Sequence, residues 1–156
     1  MHGKSIEINV FLPAWLWAQQ VPDEDVAKGR RIRKDAWRGP GVRFASISYG
    51  QNLSNRDSDK CRNLIESPWY RQHWGDNFRL LTTGLGLFKN DAGGSRQALS
   101  FGGQLTGFHA HIIAVDDALN ILSKSFEVDR LNVIAAWDNA LQTTIRSMRR
   151  PAHFAP

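Results

Sequence analysis

Two adjacent carboxylates, Asp116 and Asp117, end the apolar run Ile112-Ile113-Ala114-Val115, and Gly3-Lys4-Ser5 stands far upstream. The run is short and mostly β-branched, so it reads as a strand buried on both faces of a parallel sheet. Acids at the carboxyl end of such a strand lie where open α/β sheets bind their ligands. Mg²⁺ would suit them, because it prefers hard oxygen donors and links one or two carboxylates to substrate phosphates. The plain alternative is a strand leading into an acidic turn. Gly3-Lys4-Ser5 matches the end of the phosphate-binding loop G-x-x-x-x-G-K-S/T. In that loop the lysine reaches the β/γ-phosphates, the hydroxyl binds Mg²⁺, and the following helix offers its first N–H groups to the anion. The front half of the motif is not in the sequence, and a tripeptide recurs by chance in many chains.

The other reactive residue types read more blandly. Cys61 falls on an apolar-leaning helical face and reads as a packed small hydrophobe. His73, between Gln72 and Trp74, has no Ser, Cys or Asp partner at a catalytic spacing, and reads as a surface histidine. The basic run Lys28, Arg30, Arg31, Arg33 and Lys34 could contact DNA phosphates. It could equally be a solvated loop neutralised in part by Asp23, Glu24 and Asp25.

These residues need elements to position them. Ser5 to Trp17 fits either a strand (Ile6, Ile8, Val10) or a helical face (Ile6, Val10, Ala14, Trp17), and a helix beginning at Ser5 is expected because a Gly-Lys-Ser loop leads into one. Gln19 to Pro40 reads as a long polar loop with one short helical turn. Val42 to Tyr49 reads as a second buried strand between glycines. Gln51 to Glu66 has helical spacing and Pro68 is expected to stop it. Phe78–Leu81, Leu85–Lys89 and Arg96–Ser100 read as short strands, with a hairpin at Asp91-Ala92-Gly93-Gly94 that would make part of the sheet antiparallel. Gly102, Gly103 and Gly107 form a glycine-rich bend. Phe126, Ile134, Trp137, Leu141, Ile145 and Met148 predict a long helix packed on the sheet, with Ser125 as its cap and Arg146, Arg149 and Arg150 at its end.

A chain of 156 residues suits one domain with a substantial core, and 42% hydrophobic with 22% charged residues is the composition of a globular protein. No apolar stretch approaches the roughly 20 residues of a membrane span. A single cysteine rules out an internal disulfide framework and makes the reducing cytoplasm the expected compartment. A net charge of +5 favours a polyanionic partner only weakly.

Several further stretches carry a resemblance. They are Leu12-Pro13-Ala14-Trp15, Trp37 through Phe44, Ser48-Tyr49, Cys61-Arg62, Ile65 through Tyr70, Trp74-Gly75-Asp76, Gly93-Gly94 and Gly102-Gly103-Gln104-Leu105-Thr106-Gly107. With Gly3-Lys4-Ser5 and Asp116-Asp117, they make the chain resemble the ATPase part of a phage terminase large subunit, the motor that packages DNA into proheads. The resemblance implies a RecA-like P-loop NTPase core: α/β, a mostly parallel sheet with flanking helices. It implies ATP and Mg²⁺ as cofactors and double-stranded DNA as the substrate moved. It also implies a terminase small subunit and a portal protein as partners, a homo-oligomeric ring, and the host cytoplasm as location.

Residue by residue, Gly3 and Lys4 resemble the end of the phosphate loop, and Ser5 resembles the hydroxyl ligand of Mg²⁺. Asp116 resembles the Walker B aspartate that holds the metal. Asp117 stands where many such ATPases carry the glutamate that polarises the attacking water. The pattern departs in places: Met1 replaces a loop arginine, Phe108-His109-Ala110 replaces small or charged residues, and Ala118 replaces a proline. A partial ATPase domain over residues 1–150 with a disordered tail over 151–156 is expected, incomplete at the strand before the loop and at the coupling strand after it. Three functional readings follow: an ATPase module with little turnover alone, a noncatalytic remnant of the same fold, and a basic DNA-binding module.

Overall fold

The computed structural model describes residues 3–33, 37–101 and 109–117, with 128, 130, 131, 134, 135 and 138. Residues 3–18 run as one helical rod: α1 (Gly3–Ile6), a π-helical turn (Glu7–Phe11) and α2 (Leu12–Ala18). The helical reading of Ser5 to Trp17 therefore holds over the strand reading. Asn9, Val10, Pro13, Ala14, Leu16 and Trp17 return at helical steps to the buried face. Pro13 does not break the rod because it sits in the first turn of α2, just after the π turn.

The polar loop after Gln19 holds one short helix, α3 (Asp23–Ala27), as expected. Then come β1 (Arg43–Ser48), α4 (Gln51–Glu66), α5 (Pro68–Trp74), β2 (Leu80–Thr83), β3 (Leu87–Asn90), β4 (Ser95–Ser100) and β5 (Ile112–Val115). Pro68 ends α4 but also opens α5. Ser67 caps that helix by accepting from the Tyr70 N–H at 3.2 Å, and proline at the first helical position loses no intrahelical bond.

The strands form one sheet in the order β2-β3-β4-β1-β5. β1 runs parallel to β4 and β5, whereas β2, β3 and β4 form an antiparallel meander. The sheet is thus mixed, which corrects the expectation of a mostly parallel one. The physical cause is the tight connection at Asp91–Gly94, too short for a crossover, so β3 must return antiparallel on β4. β5 is also corrected. It pairs with β1 alone among the described residues, so it is half-buried, and its last residue Val115 is 38% exposed.

The helical rod, α4 and α5 cover one face of the sheet. There Trp17, fully buried, meets Phe78 and Phe88 edge-on, and Val42, Phe44, Cys61, Ile65 and Tyr70 complete the core. Ala45, Ile47, Leu99 and Ala110 form a second cluster on the opposite face. The glycine-rich bend at Gly102–Gly107 and the carboxyl-terminal arginines lie outside the described residues, as do Met1 and Ala118. Of the apolar positions that predict a long helix after Ser125, only Ile134 is described. It is helical and exposed.

Candidate functional site

On the helix-covered face, side chains alternate along β1 as Val42, Phe44, Ser46 and Ser48, so the lining changes from apolar to polar towards the carboxyl end. Register extends the change sideways. Arg96, Phe44 and Ile112 share one row, Ala98, Ser46 and Ala114 the next, and Ser100 and Ser48 the last. Asp116 continues the β5 side of this face. Its N–H donates to the Ile47 carbonyl at 2.9 Å, and Tyr49 N–H donates to the Asp117 carbonyl at 3.0 Å. These two bonds fasten the carboxylate pair to the end of β1. Asp117 takes a left-handed backbone, φ 46°, which aspartate tolerates better than most residues and which turns the chain sharply after β5.

The start of the helical rod lies over these strand ends. Lys4 Nζ stands 3.5 Å from Asp116 Oδ1, and the Asn9 amide donates to Asp116 Oδ2 at 3.4 Å across 107 positions of sequence. Ser5, Asn9, Ser46, Asp57, Asp116 and Asp117 line one cleft of 160 Å³. Asp116 is buried in this cleft, whereas Lys4, which reaches it, is largely exposed. Of the five residues named from sequence, Ser5, Asp116 and Asp117 share the cleft and Lys4 touches one of them. Gly3 is exposed, with open space around the position a Cβ would take.

Among the cleft residues that carry no motif are Asn9, Ser46 and Asp57, with Ser48, Ser54 and Arg56 beside them. Asp57, buried on α4, is held by Arg56 Nε at 3.2 Å and Lys60 Nζ at 4.0 Å. Asn9 is one helical turn past Ser5, and Ser46 shares the alternation of Phe44 and Ser48. Both signals are present in the sequence but identify a facing direction, not a function. Behind the cleft, Pro13 has no N–H to give the Asn9 carbonyl one turn earlier. The fully buried Arg96 donates Nη2 to that carbonyl at 3.1 Å instead.

The arrangement suits an anion beside Lys4 and a hard cation beside Asp116. Among the described residues no group of three or more His, Cys, Asp or Glu side chains is placed to hold a metal ion. Mg²⁺ would not need one, because it commonly binds through one or two carboxylates together with substrate phosphates and retained waters. The fit rests on the buried Asp116 carboxylate, whose Oδ1 meets only the exposed Lys4 ammonium, and on the unpartnered Asn9 Oδ1 and Ser46 Oγ beside it.

The remaining reactive residues lie elsewhere. Cys61 is buried, and burial pushes its thiol up to about 12, so it is a core residue and not a nucleophile. His73 is exposed on α5. Arg30 pairs with Asp25, so the basic run is partly neutralised by its own acids; Lys34 lies outside the described residues. No helix among the described residues is long and apolar enough to cross a membrane. Compared with known proteins, the chain matches no family model, no curated protein and no solved structure.

Proposed function

We propose that the cleft binds a nucleoside triphosphate with Mg²⁺, and that the chain is ATPase machinery of the terminase kind, acting on double-stranded DNA. The observation that carries the reading is the 3.5 Å contact between Lys4 and Asp116. Two short motifs from distant parts of the chain, each weak alone, meet at one cleft. In this reading Lys4 neutralises phosphate charge, and Ser5 and Asp116 hold the cation. Bound there, Mg²⁺ would neutralise charge on the terminal phosphates. Asp117, at the same cleft, orients a water through its carboxylate. The basic surface, net +5, supports DNA as the polyanion, and RecA-like architecture is the fold this reading expects of the parallel β4-β1-β5 portion.

The test is titration of the full chain with a fluorescent ATP analogue and Mg²⁺. Lys4→Ala removes an exposed side chain, so the fold survives and affinity falls by about tenfold or more, the range expected for a charge-assisted phosphate contact of roughly 1.5–3 kcal/mol. Equal affinity in Lys4→Ala and the unaltered chain would remove the reading.

A further inference from the structure

Two oxygens in the cleft, Asn9 Oδ1 and Ser46 Oγ, make no hydrogen bond within the protein, and beside them Asp116 Oδ1 meets only the exposed Lys4 ammonium at 3.5 Å. Their side chains belong to residues that are 5%, 2% and 6% exposed, and all three line the same 160 Å³ space. Unsatisfied buried oxygens are costly, and two on one cavity wall beside a buried carboxylate point to what the cavity is built to meet. The Asn9 Nδ2 group is committed to Asp116 Oδ2, so its oxygen is fixed facing away from that bond. Arg96 fixes the Asn9 backbone from behind through the carbonyl that Pro13 cannot serve. Ser46 has only alanines, Ala98 and Ala114, beside it in register, so nothing bulky from those strands closes over its hydroxyl.

Asn9 Oδ1 and the Asp116 carboxylate only accept, whereas the Ser46 hydroxyl accepts or donates, so the wall suits an occupant that presents O–H donors and tolerates nearby carboxylates. A free phosphate, an acceptor with negative charge, would face the Asp116 and Asp117 carboxylates there. We infer that Asn9 and Ser46 are positioning residues that join Asp116 in holding the water shell of a divalent cation. The space is roomy enough for several waters, and Mg²⁺ keeps several of its waters when bound. This inference rests on the reading of the cleft as a metal–triphosphate site, and the two can fail separately.

The probe is Mn²⁺ alone, followed by electron paramagnetic resonance on the full chain, with melting measured in parallel in EDTA. Ser46→Ala weakens Mn²⁺ binding about tenfold, as loss of an outer-shell partner does. Its melting temperature in EDTA does not fall, because a buried unsatisfied oxygen has been removed. Asn9→Asp moves the two readouts oppositely: it tightens Mn²⁺ and lowers the melting temperature in EDTA, where two carboxylates face each other without a cation. A purely structural role would not produce that opposition. Unchanged Mn²⁺ affinity in both variants, or no Mn²⁺ binding by the unaltered chain, overturns the inference. If Mn²⁺ binds as described but the ATP analogue does not, the triphosphate reading falls and this one stands. If the analogue binds with Mg²⁺ while both variants hold Mn²⁺ normally, the reverse is true.

Discussion

Asp116 and His111 stand at opposite ends of β5 among different neighbours. Asp116 keeps its charge partners at the cleft, Lys4 and the Asn9 amide. His111 has the opposite surroundings. Its Nδ1 accepts from the Arg43 backbone N–H at 2.9 Å and its ring stacks on Trp37 at 4.9 Å. Burial, and secondarily the Arg43 guanidinium, lower it from 6.5 to about 4. The folded protein therefore holds it neutral, while the unfolded chain binds the proton more readily. Its contribution is fully present above pH 6.5 and is lost as pH falls towards 4. His111→Asn keeps an acceptor for Arg43 but cannot titrate. Melting curves from pH 7 to 4 should fall less steeply for that variant, and parallel slopes would contradict the assignment. Sequence marked Lys4, Ser5, Asp116 and Asp117 because their motifs name a chemistry. It passed over Asn9, Ser46 and Asp57 because only a tertiary fold brings an asparagine, a serine and a helix acid to one wall.

At the scale of elements, the hairpin and the helices were the more legible parts. Spacing of Leu53, Asp57, Cys61, Leu64 and Ile65 located α4, since a 3.6-residue period survives in the sequence whatever the helix packs on. The helix α5 was missed because Pro68 reads as a stop, although proline serves equally as a first helical residue behind a serine cap. β5 was over-read: four apolar residues look the same whether a strand is central or at an edge. Two element-scale predictions follow from contacts. Tyr70, pushed upward by burial and by the neighbouring thiol of Cys61, donates its hydroxyl to the Ala14 carbonyl at 2.7 Å and ties α5 to α2. Tyr70→Phe removes this tie between the helices and should cost about 0.5–1.5 kcal/mol in urea unfolding; an unchanged midpoint would show that the tie contributes nothing. In the hairpin, a Cβ on Gly94 would lie 2.1 Å from the Pro40 carbonyl oxygen and 2.8 Å from Asn90 Nδ2. Asn90 itself bridges the turn, donating to Pro40 and accepting from Ala92 and Gly94. Gly94→Ala must displace backbone, so it should destabilise by about 1–3 kcal/mol, whereas Gly93→Asn, at φ 83°, should be milder.

For the whole molecule, the resemblance implied an α/β architecture with a mostly parallel sheet and flanking helices, and the sheet is mixed. Direction depends on whether a connection is long enough to cross over, and only the Asp91–Gly94 turn signalled it. Charge is the other property of the whole chain. With net +5 and part of the basic loop already paired with Asp25, DNA binding through phosphates should be modest and strongly salt-dependent. Each phosphate contact adds about −0.9 to the slope of log affinity against log salt. A flat dependence would argue against DNA phosphates as the partner.

The central claim is that Lys4 with Ser5 and Asp116 with Asp117 form one metal–triphosphate site. Calorimetric titration of ATP with and without Mg²⁺, for the unaltered chain and for Asp116→Asn, tests it most directly. The account predicts that Mg²⁺ tightens ATP binding about tenfold or more in the unaltered chain and that Asp116→Asn, still folded, loses that dependence. ATP binding that Mg²⁺ strengthens equally in both proteins would contradict it.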